Sequence, residues 1–434
     1  NHPKPSHHGA EGPANQAVLA DNPRRNPEVP CHTEKDDEVP VGGVGSGNSQ
    51  ELGERRLITD EVPPPPPQVF FGKPTHHAHG GPPDYKGQPP EPGDLKQDGG
   101  RASAHYALVT SAPDLEGVMG AVNWGILSTA EIGRYKVIPA IQSAKRSNVV
   151  AIASRNVDTA QAVATELGIE TAYGSYEQLL ADPEIHAVYI PLPNHMHAEW
   201  TIAAARAGKH ALCEKPIALS SAEAETMVAA CEEAGVILRE AFMYRFHPTW
   251  EAARRLISEG GIGEVIAIDS WFSYFNDDPN NIRNILDYGG GALMDIGCYS
   301  IHMSRMLLDS EPTAIKSSVR RDPASGVDIY TAGVLEFGDQ ISTFACSIRA
   351  EDDQRVNIYG TTGRVSIEIP FNIPPDRATR IAVTVGGDPP VAPGTQTIEF
   401  DPVDQYTLQA EAFVAAVLDG ADLPDAGPDA LGNI

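Results

Sequence analysis

Apolar runs and helix-like spacing alternate along the chain from residue 122 to residue 241. Short runs dominated by apolar residues predict buried strands, and stretches in which apolar residues recur every three or four positions predict helices. Such regular alternation is typical of a parallel sheet that carries helices on both faces. The predicted strands span residues 122–127, 148–153, 187–190, 210–213 and 236–241, and the predicted helices span 131–144, 158–167 with Asp158 as its cap, a stretch that ends at 207, and 221–234.

A different pattern follows residue 245. A helix is predicted over 248–258, and the chain then alternates between polar residues and β-branched or aromatic ones, as strands do. Short turns between neighbouring runs, such as the one at 337–340, predict a mainly antiparallel sheet. A helix over 292–308 is expected to cover one face of this sheet, which makes the second domain α+β. The predicted strands span 263–274, 314–320, 330–337, 341–348, 355–359 and 364–369.

The first 120 residues differ in composition from the rest. They contain 19 of the 37 prolines and 8 of the 14 histidines, and no helix or strand period persists in them. Such a segment buries too little apolar surface to offset its chain entropy, so it is predicted to be disordered. Its proline run at 63–67 is a stiff spacer or a polyproline II ligand, and its histidines at 76, 77 and 79 form a solvated tract or a metal site. We therefore divide the chain into an extension over 1–120, a first domain over 121–243 and a second domain over 244–434.

The net charge of the chain and the distribution of its cysteines exclude several classes of partner and site. The formal net charge of −27 repels nucleic acids and anionic membrane surfaces, so neither is expected as a partner. No run of 18 apolar residues predicts a membrane span, and no signal-peptide core is apparent near the start. The five cysteines are scattered without a Cys-x-x-Cys pair, which predicts reduced thiols in a cytoplasmic protein and no zinc site.

The first predicted strand-to-helix turn lies where parallel sheets bind dinucleotides. Small residues there allow the backbone to approach a pyrophosphate, and the helix start offers amide donors. The turn at 128–133 reads Ser-Thr-Ala-Glu-Ile-Gly, so serine and alanine replace the first two glycines of the Gly-x-Gly-x-x-Gly pattern. A nucleotide site and a plain tight turn both remain open at this point. The candidate cofactor contacts are Ser128, Thr129, Ala130 and Ile132.

The end of the second predicted strand bears on the choice of cofactor. NAD sites usually place an acidic residue there to bind the ribose hydroxyls, but this strand ends with Ser154 and Arg155, and the first acid is Asp158. Arg155 can face the 2′-phosphate of NADP and Ser154 can donate to it. We therefore expect NADP as the cofactor, with NAD as the alternative. A solvent-exposed arginine without a ligand is the other interpretation of Arg155.

A lysine follows the fourth predicted strand. Glu214, Lys215 and Pro216 come directly after that strand, so Lys215 lies at the carboxyl edge of the sheet, where open α/β folds bind ligands. Pro216 restricts the backbone of Lys215 to extended geometry. A lysine in this place can hydrogen-bond a substrate hydroxyl and stabilise the alkoxide that forms as hydride leaves. A surface lysine that merely precedes a proline is the alternative interpretation.

Three motifs, in the right order along the chain, resemble the Gfo/Idh/MocA oxidoreductase family: Pro-Leu-Pro-Asn-His-Met-His at 191–197, Ala-Gly-Lys-His at 207–210 and Glu-Lys-Pro at 214–216. The resemblance implies a Rossmann domain joined to an α+β domain with an open-faced, mainly antiparallel sheet. It also implies that the lysine of the third motif contacts both the nicotinamide ribose and the substrate. The residues that it places at the cofactor are Leu192, Pro193, Asn194, Glu214 and Lys215.

A second family site occupies residues 289–299, Gly-Gly-Gly-Ala-Leu-Met-Asp-Ile-Gly-Cys-Tyr. Many members carry Asp-x-x-x-His here, with the histidine as proton acceptor, whereas this chain has Tyr299 at the histidine position. The departure resembles the branch that contains glucose–fructose oxidoreductase, dimeric dihydrodiol dehydrogenase and NADP-dependent D-xylose dehydrogenase. Asp295 and Tyr299 are four apart and so share one helix face. An amphipathic helix with a half-buried tyrosine shows the same spacing.

These residues predict a division of roles. A tyrosine titrates near ~10 and is a poor base at neutral pH, but a nearby ammonium favours its phenolate. We therefore predict Tyr299 as the acid and base, Lys215 as its electrostatic partner and Asp295 as a binder of substrate hydroxyls. Arg245 is predicted either to reach the cofactor or the substrate, or to form a structural ion pair.

The predicted function is hydride transfer between a sugar or cyclic polyol carbon and NAD(P). An NAD-dependent glycosidase and a non-catalytic cofactor-binding sensor are the alternatives. The resemblance also implies a homodimer or higher homo-oligomer that packs through exposed sheet faces. His197 and His302 are expected to pack rather than to react. Because family members continue through a final helix, the sequence at 429–434 predicts a truncated second domain.

Overall fold

Six parallel strands form the first sheet of the computed structural model, which describes residues 120–386, 394–424 and 427–434. The strands are β1 (Val122–Leu127), β2 (Ser147–Ala153), β3 (Thr171–Tyr173), β4 (Ala187–Ile190), β5 (His210–Cys213) and β6 (Leu238–Glu240). Their order is β3-β2-β1-β4-β5-β6, so the direction of winding reverses between β1 and β4. This topology confirms the predicted Rossmann sheet. The predictions of disorder, of a spacer and of a histidine metal site concern residues 1–119 and lie outside the described residues.

Helices connect these strands, as the spacing of apolar residues predicts. Asn156 Oδ1 accepts hydrogen bonds from the amides of Asp158 and Thr159, at 2.8 and 3.2 Å. The prediction of Asp158 as the cap of its helix is therefore wrong: the residue just ahead of the first helical position reaches both free amides. The predicted first helix, 131–144, contains a π-helical turn at Gly133–Val137. The α-helices are α1 (Ile138–Ser143), α2 (Val157–Leu167), α3 (Tyr176–Leu180), α4 (His197–Arg206) and α5 (Ser221–Ala234).

The lysine of the Ala-Gly-Lys-His motif has a structural position in this sheet. Lys209 is 7% exposed, and its Nζ donates to the carbonyl oxygens of Asp182 and Ile185, both at 2.7 Å. These carbonyls lie in the connection between α3 and β4. The ammonium thus satisfies backbone acceptors that would otherwise be buried without partners.

Eight strands form the second sheet. They are β7 (Val265–Phe275), β8 (Ala314–Arg321), β9 (Asp328–Phe337), β10 (Gln340–Ser347), β11 (Arg349–Gly360), β12 (Gly363–Ile367), β13 (Thr379–Val385) and β14 (Thr395–Phe400). Their order is β14-β13-β12-β11-β7-β10-β9-β8. Only the pair of β7 and β10 is parallel among these eight strands; the other neighbours are antiparallel. The prediction of a mainly antiparallel sheet is confirmed.

One face of the second sheet is covered and the other is open. Met303 and Leu307 of α7 (Cys298–Leu308) share a buried core with Val356 of β11. On the opposite face, Ile341 and Tyr359, which both lie in register with Ala267 of β7, are 44% and 39% exposed. The helix predicted over 292–308 begins instead with a π-helical turn at Leu293–Gly297. A further helix, α6 (Pro248–Ser258), has the predicted bounds.

The end of the chain returns to the first sheet. Helix α8 (Gln405–Asp419) packs Phe413 and Val414 into a core that includes β1, and the Phe413 and Trp124 ring centroids lie 5.0 Å apart. A short helix, α9 (Gly427–Ala430), and a 3₁₀ turn at Leu431–Asn433 follow. None of α3, α8, β3, β13 and β14 is predicted from the sequence. The first sheet therefore depends on residues far along the chain for part of its cover.

The described cysteines agree with the prediction of scattered thiols. Cys213, Cys231, Cys298 and Cys346 are unpaired and buried. Among the described residues, no helix is both long enough and apolar enough to cross a bilayer.

Loss of the Phe413 side chain is expected to destabilise the protein by about 3–5 kcal/mol, because it removes a fully buried ring and leaves a cavity beside β1. Urea unfolding followed by tryptophan fluorescence measures the change. Phe275→Ala is the matched control, since that ring is 60% exposed and its loss should cost little. An equal effect of the two substitutions would contradict the packing of α8 on the first sheet.

Candidate functional site

A cleft of about 660 Å³ opens at the carboxyl ends of β1, β4 and β5. It lies at the point where the winding of the first sheet reverses, which is where open α/β sheets bind ligands. Its other wall comes from β7, the segment after β7 and the start of α7. The lining residues are Ala130, Glu131, Ile132, Tyr135, Lys136, Pro191, Leu192, Asn194, Glu214, Lys215, Met243, Phe272, Tyr274, Asn276, Ile282, Arg283, Tyr288, Gly289, Gly290, Asp295, Ile296, Tyr299, Asn372 and Tyr406.

The turn after β1 brings two of its predicted cofactor contacts to the cleft. Ala130 and Ile132 line it, whereas Ser128 and Thr129 lie just ahead and do not. Ser128 has φ 134°, a conformation that favours glycine. Its Oγ accepts a hydrogen bond from the amide of Ala130 at 3.0 Å. Ser128 thus adopts the backbone conformation usual for glycine in this turn, and the hydrogen bond to its own side chain stabilises the turn.

Ser154 and Arg155 lie at the carboxyl end of β2, next to β1 in the sheet. The Ser154 amide donates to the carbonyl of Tyr173 at 3.1 Å, and Arg155 is exposed. Neither residue lines the cleft itself. They lie at the neighbouring strand end, on the side toward which the adenosine part of a dinucleotide extends in this topology.

The segment after β4 connects the two walls of the cleft. Leu192 and Asn194 line it, and Pro193 lies between them. Asn194 Nδ2 donates to the carbonyl of Gly289 at 3.0 Å. His195 stacks on Tyr288 with ring centroids 4.3 Å apart. The loop before the second family motif is thereby held against the Rossmann domain.

The Glu-Lys-Pro motif follows β5 and has a cis bond between Lys215 and Pro216. Glu214 Oε1 accepts a hydrogen bond from the hydroxyl of Tyr189 at 2.7 Å, and burial raises the pKa of Glu214. Lys215 Nζ donates to the backbone carbonyl of Asp295 at 2.7 Å and lies 3.4 Å from its Oδ1. Burial acts to lower the pKa of Lys215, but the neighbouring acidic groups, with Asp295 the strongest, together outweigh it and the pKa is raised. The lysine is therefore an ammonium, fixed to the opposite wall.

Asp295 is the centre of the polar contacts in the cleft. Besides Lys215, its carboxylate accepts from the hydroxyl of Tyr274 at 2.5 Å and from Nε of Arg283 at 3.1 Å. Burial acts to raise the pKa of Asp295, but the charges of Lys215 and Arg283 lower it to about 2. Only 13% of its side chain is exposed. Asp295 is thus an anion whose oxygens already have several donors.

Tyr299 lies beneath the lysine. It is 5% exposed, and Lys215 Nζ is 5.1 Å from the centroid of its ring, while its hydroxyl contacts Sδ of Met243 at 3.8 Å. Burial raises the pKa of Tyr299 well above its usual value. The expectation that Lys215 favours the phenolate is therefore wrong, because the ammonium faces the ring rather than the hydroxyl and burial dominates. Tyr299 is a neutral phenol.

The remaining candidates lie away from the cleft. Arg245, in the 3₁₀ turn Met243–Phe246, does not line it, and burial lowers the pKa of Arg245 to about 10. His197 is buried, with Nδ1 and Nε2 each 2.8 Å from a carbonyl oxygen, of Pro216 and Leu192 respectively. It joins the segments after β4 and β5. His302 stacks on the Phe242 ring at a centroid distance of 4.1 Å.

Several cleft residues are absent from the sequence predictions. The side chains of Tyr274 and Arg283 donate hydrogen bonds to the Asp295 carboxylate, and the ring of Tyr288 stacks on His195 of the Rossmann domain. None of these three belongs to a motif. Tyr274 lies near the end of β7, and Arg283 and Tyr288 lie between β7 and the glycine-rich family motif, so their position ahead of that motif was the signal available. Asn372 and Tyr406 come from distant segments, and no local pattern marks them.

Comparison with known proteins adds to this geometry. A model of the oxidoreductase family with an NAD-binding Rossmann fold matches residues 122–242, and a model of the GFO/IDH/MocA C-terminal domain matches residues 250–366. An uncharacterized oxidoreductase of Rhizobium meliloti is 45% identical over 307 residues, which cover 70% of this chain and 92% of that protein. A D-xylose 1-dehydrogenase (NADP(+)) of Haloferax volcanii is 42% identical over 299 residues, which cover 68% of this chain and 89% of the relative.

A solved structure shows the same architecture. The 3-ketoreductase from Actinomadura kijaniata, in complex with NADP and TDP-benzene, superimposes with a TM-score of 0.66 at 28% identity. The superposition covers 72% of this chain and 94% of the ketoreductase. The two domain matches, together with a relative that is 45% identical over 92% of its length, show that this chain belongs to the Gfo/Idh/MocA family of oxidoreductases.

Proposed function

We propose that the protein is an NADP-dependent dehydrogenase or reductase that moves a hydride between a carbon of a sugar or cyclic polyol and the nicotinamide. The observation that supports this most is the convergence of Lys215, Asp295 and Tyr299 in one cleft at the reversal point of the first sheet. The Haloferax relative is named for D-xylose and NADP(+), and the ketoreductase structure contains NADP. Their names agree with this chemistry.

The first wall of the cleft fits a dinucleotide. A helix begins just after β1, and the amides of its first turn have no partner within the helix. The side chains of Ser128 and Ala130 ahead of it are small, so a pyrophosphate can approach the backbone. We propose that Thr129, Ile132 and the 192–194 segment continue this surface. Arg155 and Ser154, at the adjacent strand end, suit a 2′-phosphate because no acidic side chain stands there to repel it. On this proposal residues 121–243 bind the cofactor and residues 244–434 bind the substrate.

The second wall supplies the groups around the reacting carbon. The nicotinamide, when bound, supplies the hydride acceptor or donor. Lys215 donates a hydrogen bond to the reacting oxygen and stabilises its negative charge, which is most effective in a site that excludes water. Asp295 holds the ammonium in place and orients substrate hydroxyls, and Tyr299 transfers the proton to or from the reacting oxygen. Arg283 and Tyr274 keep Asp295 anionic.

A panel of aldoses, inositols and dihydrodiols, each tested with NADP and NAD at the absorbance of the reduced nicotinamide, tests the proposal. A stoichiometric yield of NADPH with oxidised product is expected. A glycosidase that uses NAD transiently would release a cleaved sugar without net reduced cofactor, and a sensor would bind NADP without turnover. Absence of net redox change across the panel would contradict the proposed function.

We also propose that the protein forms a homodimer or higher homo-oligomer through the open face of the second sheet, in a reducing, cytoplasmic compartment. The apolar residue Ile341, which is 44% exposed on that face, supports the first point. The unpaired thiols support the second. Light scattering measures the oligomeric state, and a monomer at micromolar concentration would contradict the oligomer.

Replacing Arg155 with alanine is expected to raise the Kd of NADP by roughly ten- to hundredfold, since a charged hydrogen bond contributes about 1.5–3 kcal/mol. The Kd of NAD should stay the same, because NAD lacks the 2′-phosphate. Fluorescence titration with the reduced cofactors measures both constants. Arg380→Ala is the control, since Arg380 is 60% exposed on β13 and pairs with Glu368. An equal loss for both cofactors would count against a 2′-phosphate contact.

A further inference from the structure

A buried chain of hydrogen bonds joins the turn that carries the cleft lysine to helix α7. The amide of Ile217 donates to Oε1 of Glu240 at 2.8 Å, and Nδ2 of Asn433 donates to Oε2 of Glu240, also at 2.8 Å. Nη1 of Arg305 donates in turn to Oδ1 of Asn433 at 2.5 Å. Ile217 directly follows the Glu-Lys-Pro motif, and Arg305 lies on α7. These hydrogen bonds thus connect the turn that carries Lys215 to α7, the helix that carries Tyr299 near its start.

Each link of this chain is buried. Glu240 is 0% exposed, and Arg305 and Asn433 are each 6% exposed. The guanidinium of Arg305 also bonds Glu311 (Nε to Oε2, 2.8 Å) and Asp429 (Nη2 to Oδ1, 2.9 Å). The position of this guanidinium is therefore fixed from several sides. Glu311 and Asp429 are 62% and 42% exposed, whereas the bonds among Glu240, Asn433 and Arg305 are shielded from water.

The donors and acceptors along these hydrogen bonds can be arranged in only one way. An arginine can only donate, so Asn433 must present its oxygen to Arg305 and its amide to Glu240. The amide of Ile217 is also a donor. Glu240 must therefore accept from both sides, which an ionised carboxylate does and a protonated carboxyl group does not.

We propose that Glu240 is a positioning residue for hydride transfer: through Asn433 and Arg305 it fixes the lysine turn and α7 at the separation that the reaction needs. The inference rests on the proposed function, because it assigns a purpose to the approach of Lys215 Nζ to the Tyr299 ring, at 5.1 Å. Turnover is sensitive to small displacements of such groups. Glu240 itself does not line the cleft.

Titration of Glu240 gives a readout that a purely structural role would lack. Burial raises the pKa of Glu240 to about 7, although the hydrogen bonds from Asn433 and Ile217 act to lower it. The positive charge of Arg305 lowers it further, and the negative charge of Asp429 raises it. A proton on Glu240 leaves one of its two donors without an acceptor, so kcat should fall as the pH decreases through about 7.

The other groups near Glu240 do not share this titration. Burial raises the pKa of the Cys213 and Cys298 thiols and of the Tyr244 phenol, so all three stay neutral at pH 6–8. Arg239, the neighbour of Glu240 in β6, is buried and its pKa is lowered by that burial. Because a guanidinium keeps its proton in proteins even when its pKa is lowered, the low-pH limb of the profile is expected to report the carboxyl group of Glu240.

Exchange of the two polar groups tests the chain. Glu240→Gln places an amide against the amide of Asn433, and Asn433→Asp places a carboxylate against Glu240, so each single variant should lower kcat by about tenfold or more. The double variant restores a complete set of donors and acceptors with the bond between the two side chains reversed. The amide introduced at position 240 donates to the carboxylate introduced at position 433, and that carboxylate still accepts from Arg305. We expect its kcat to return to within about threefold of wild type, without the decrease through pH 7. The Kd of NADP should be unchanged in all three variants.

Hydrogen exchange of the Ile217 amide is a second measurement, and it does not depend on enzyme activity. Exchange should be slow in wild type and in the double variant and fast in both single variants. Glu368→Gln is the matched control, because Glu368 is 71% exposed and pairs with Arg380 at the surface. Single variants with wild-type kcat and pH profile, or a double variant that fails to fold or to recover, would overturn the inference. Wild-type protein that turns over no polyol, yet shows the predicted exchange pattern, would overturn the proposed function and leave only the hydrogen-bond chain.

Discussion

Replacing Lys215 with alanine is expected to lower kcat by about 10³-fold while NADP still binds. The substitution removes the ammonium that the structure fixes between the carboxyl end of β5 and Asp295. A preorganised donor to a developing negative charge contributes about 10²–10³ in rate, and loss of the salt bridge also frees the carboxylate of Asp295. Steady-state rates with the preferred polyol, together with fluorescence titration of NADPH, separate turnover from binding.

The control for this variant is Lys316→Ala, which removes an equal side chain that is 73% exposed on β8. It should leave both quantities unchanged. Full activity of the Lys215 variant would end the mechanistic proposal, whereas loss of NADPH binding together with turnover would reassign the lysine to the cofactor.

Tyr299→Phe is expected to lower the rate of carbonyl reduction by about 10²–10⁴-fold, because it removes only the hydroxyl that transfers the proton. Burial raises the pKa of Tyr299 well above its usual value, so the phenol keeps its proton at neutral pH. Tyr299 itself should therefore add no pH dependence near neutrality. Above the pH at which Glu240 titrates, the wild-type reduction rate should stay level and decrease only in strong alkali. The rate of alcohol oxidation should increase with pH, since oxidation needs the phenolate. The variant should lose both alkaline dependences.

Tyr359→Phe serves as the matched control, because that ring is 39% exposed on the second sheet. A reduction rate that is unchanged in the Tyr299 variant would show that another group transfers the proton. Tyr274 is then the next candidate, since its hydroxyl already bonds Asp295 in the cleft.

The sequence predicts the strands and helices whose period is strong. The bounds of α5 and α6 agree with the prediction residue for residue, because polar caps and helical spacing coincide there. The three-residue strand β3 and the five-residue helix α3 are too short to show a period. The π-helical turns at 133–137 and 293–297 have the same apolar spacing as an α-helix to within one residue, so a pattern does not distinguish them.

The candidate site divides in the same way. Lys215 and Asp295 are marked by motifs, and the structure brings them into contact. The contacts from Arg283 and Tyr274 arise only when the chain folds, because neither belongs to a motif. The pKa of Tyr299 shows a different limit: a sequence reveals that an ammonium is near, but not that it faces the ring while the hydroxyl is buried.

The return of α8 to β1 has a consequence for synthesis of the chain. All strands of the first sheet are complete once residue 240 has left the ribosome, yet Trp124 and its neighbours gain Phe413 and Val414 only after some 170 further residues. Until then one side of the cofactor-binding sheet exposes apolar surface, which is the condition under which nascent chains aggregate or recruit chaperones. Because Tyr406 also lines the cleft, the enzyme acquires its complete cofactor sheet and its complete cleft in the same late step.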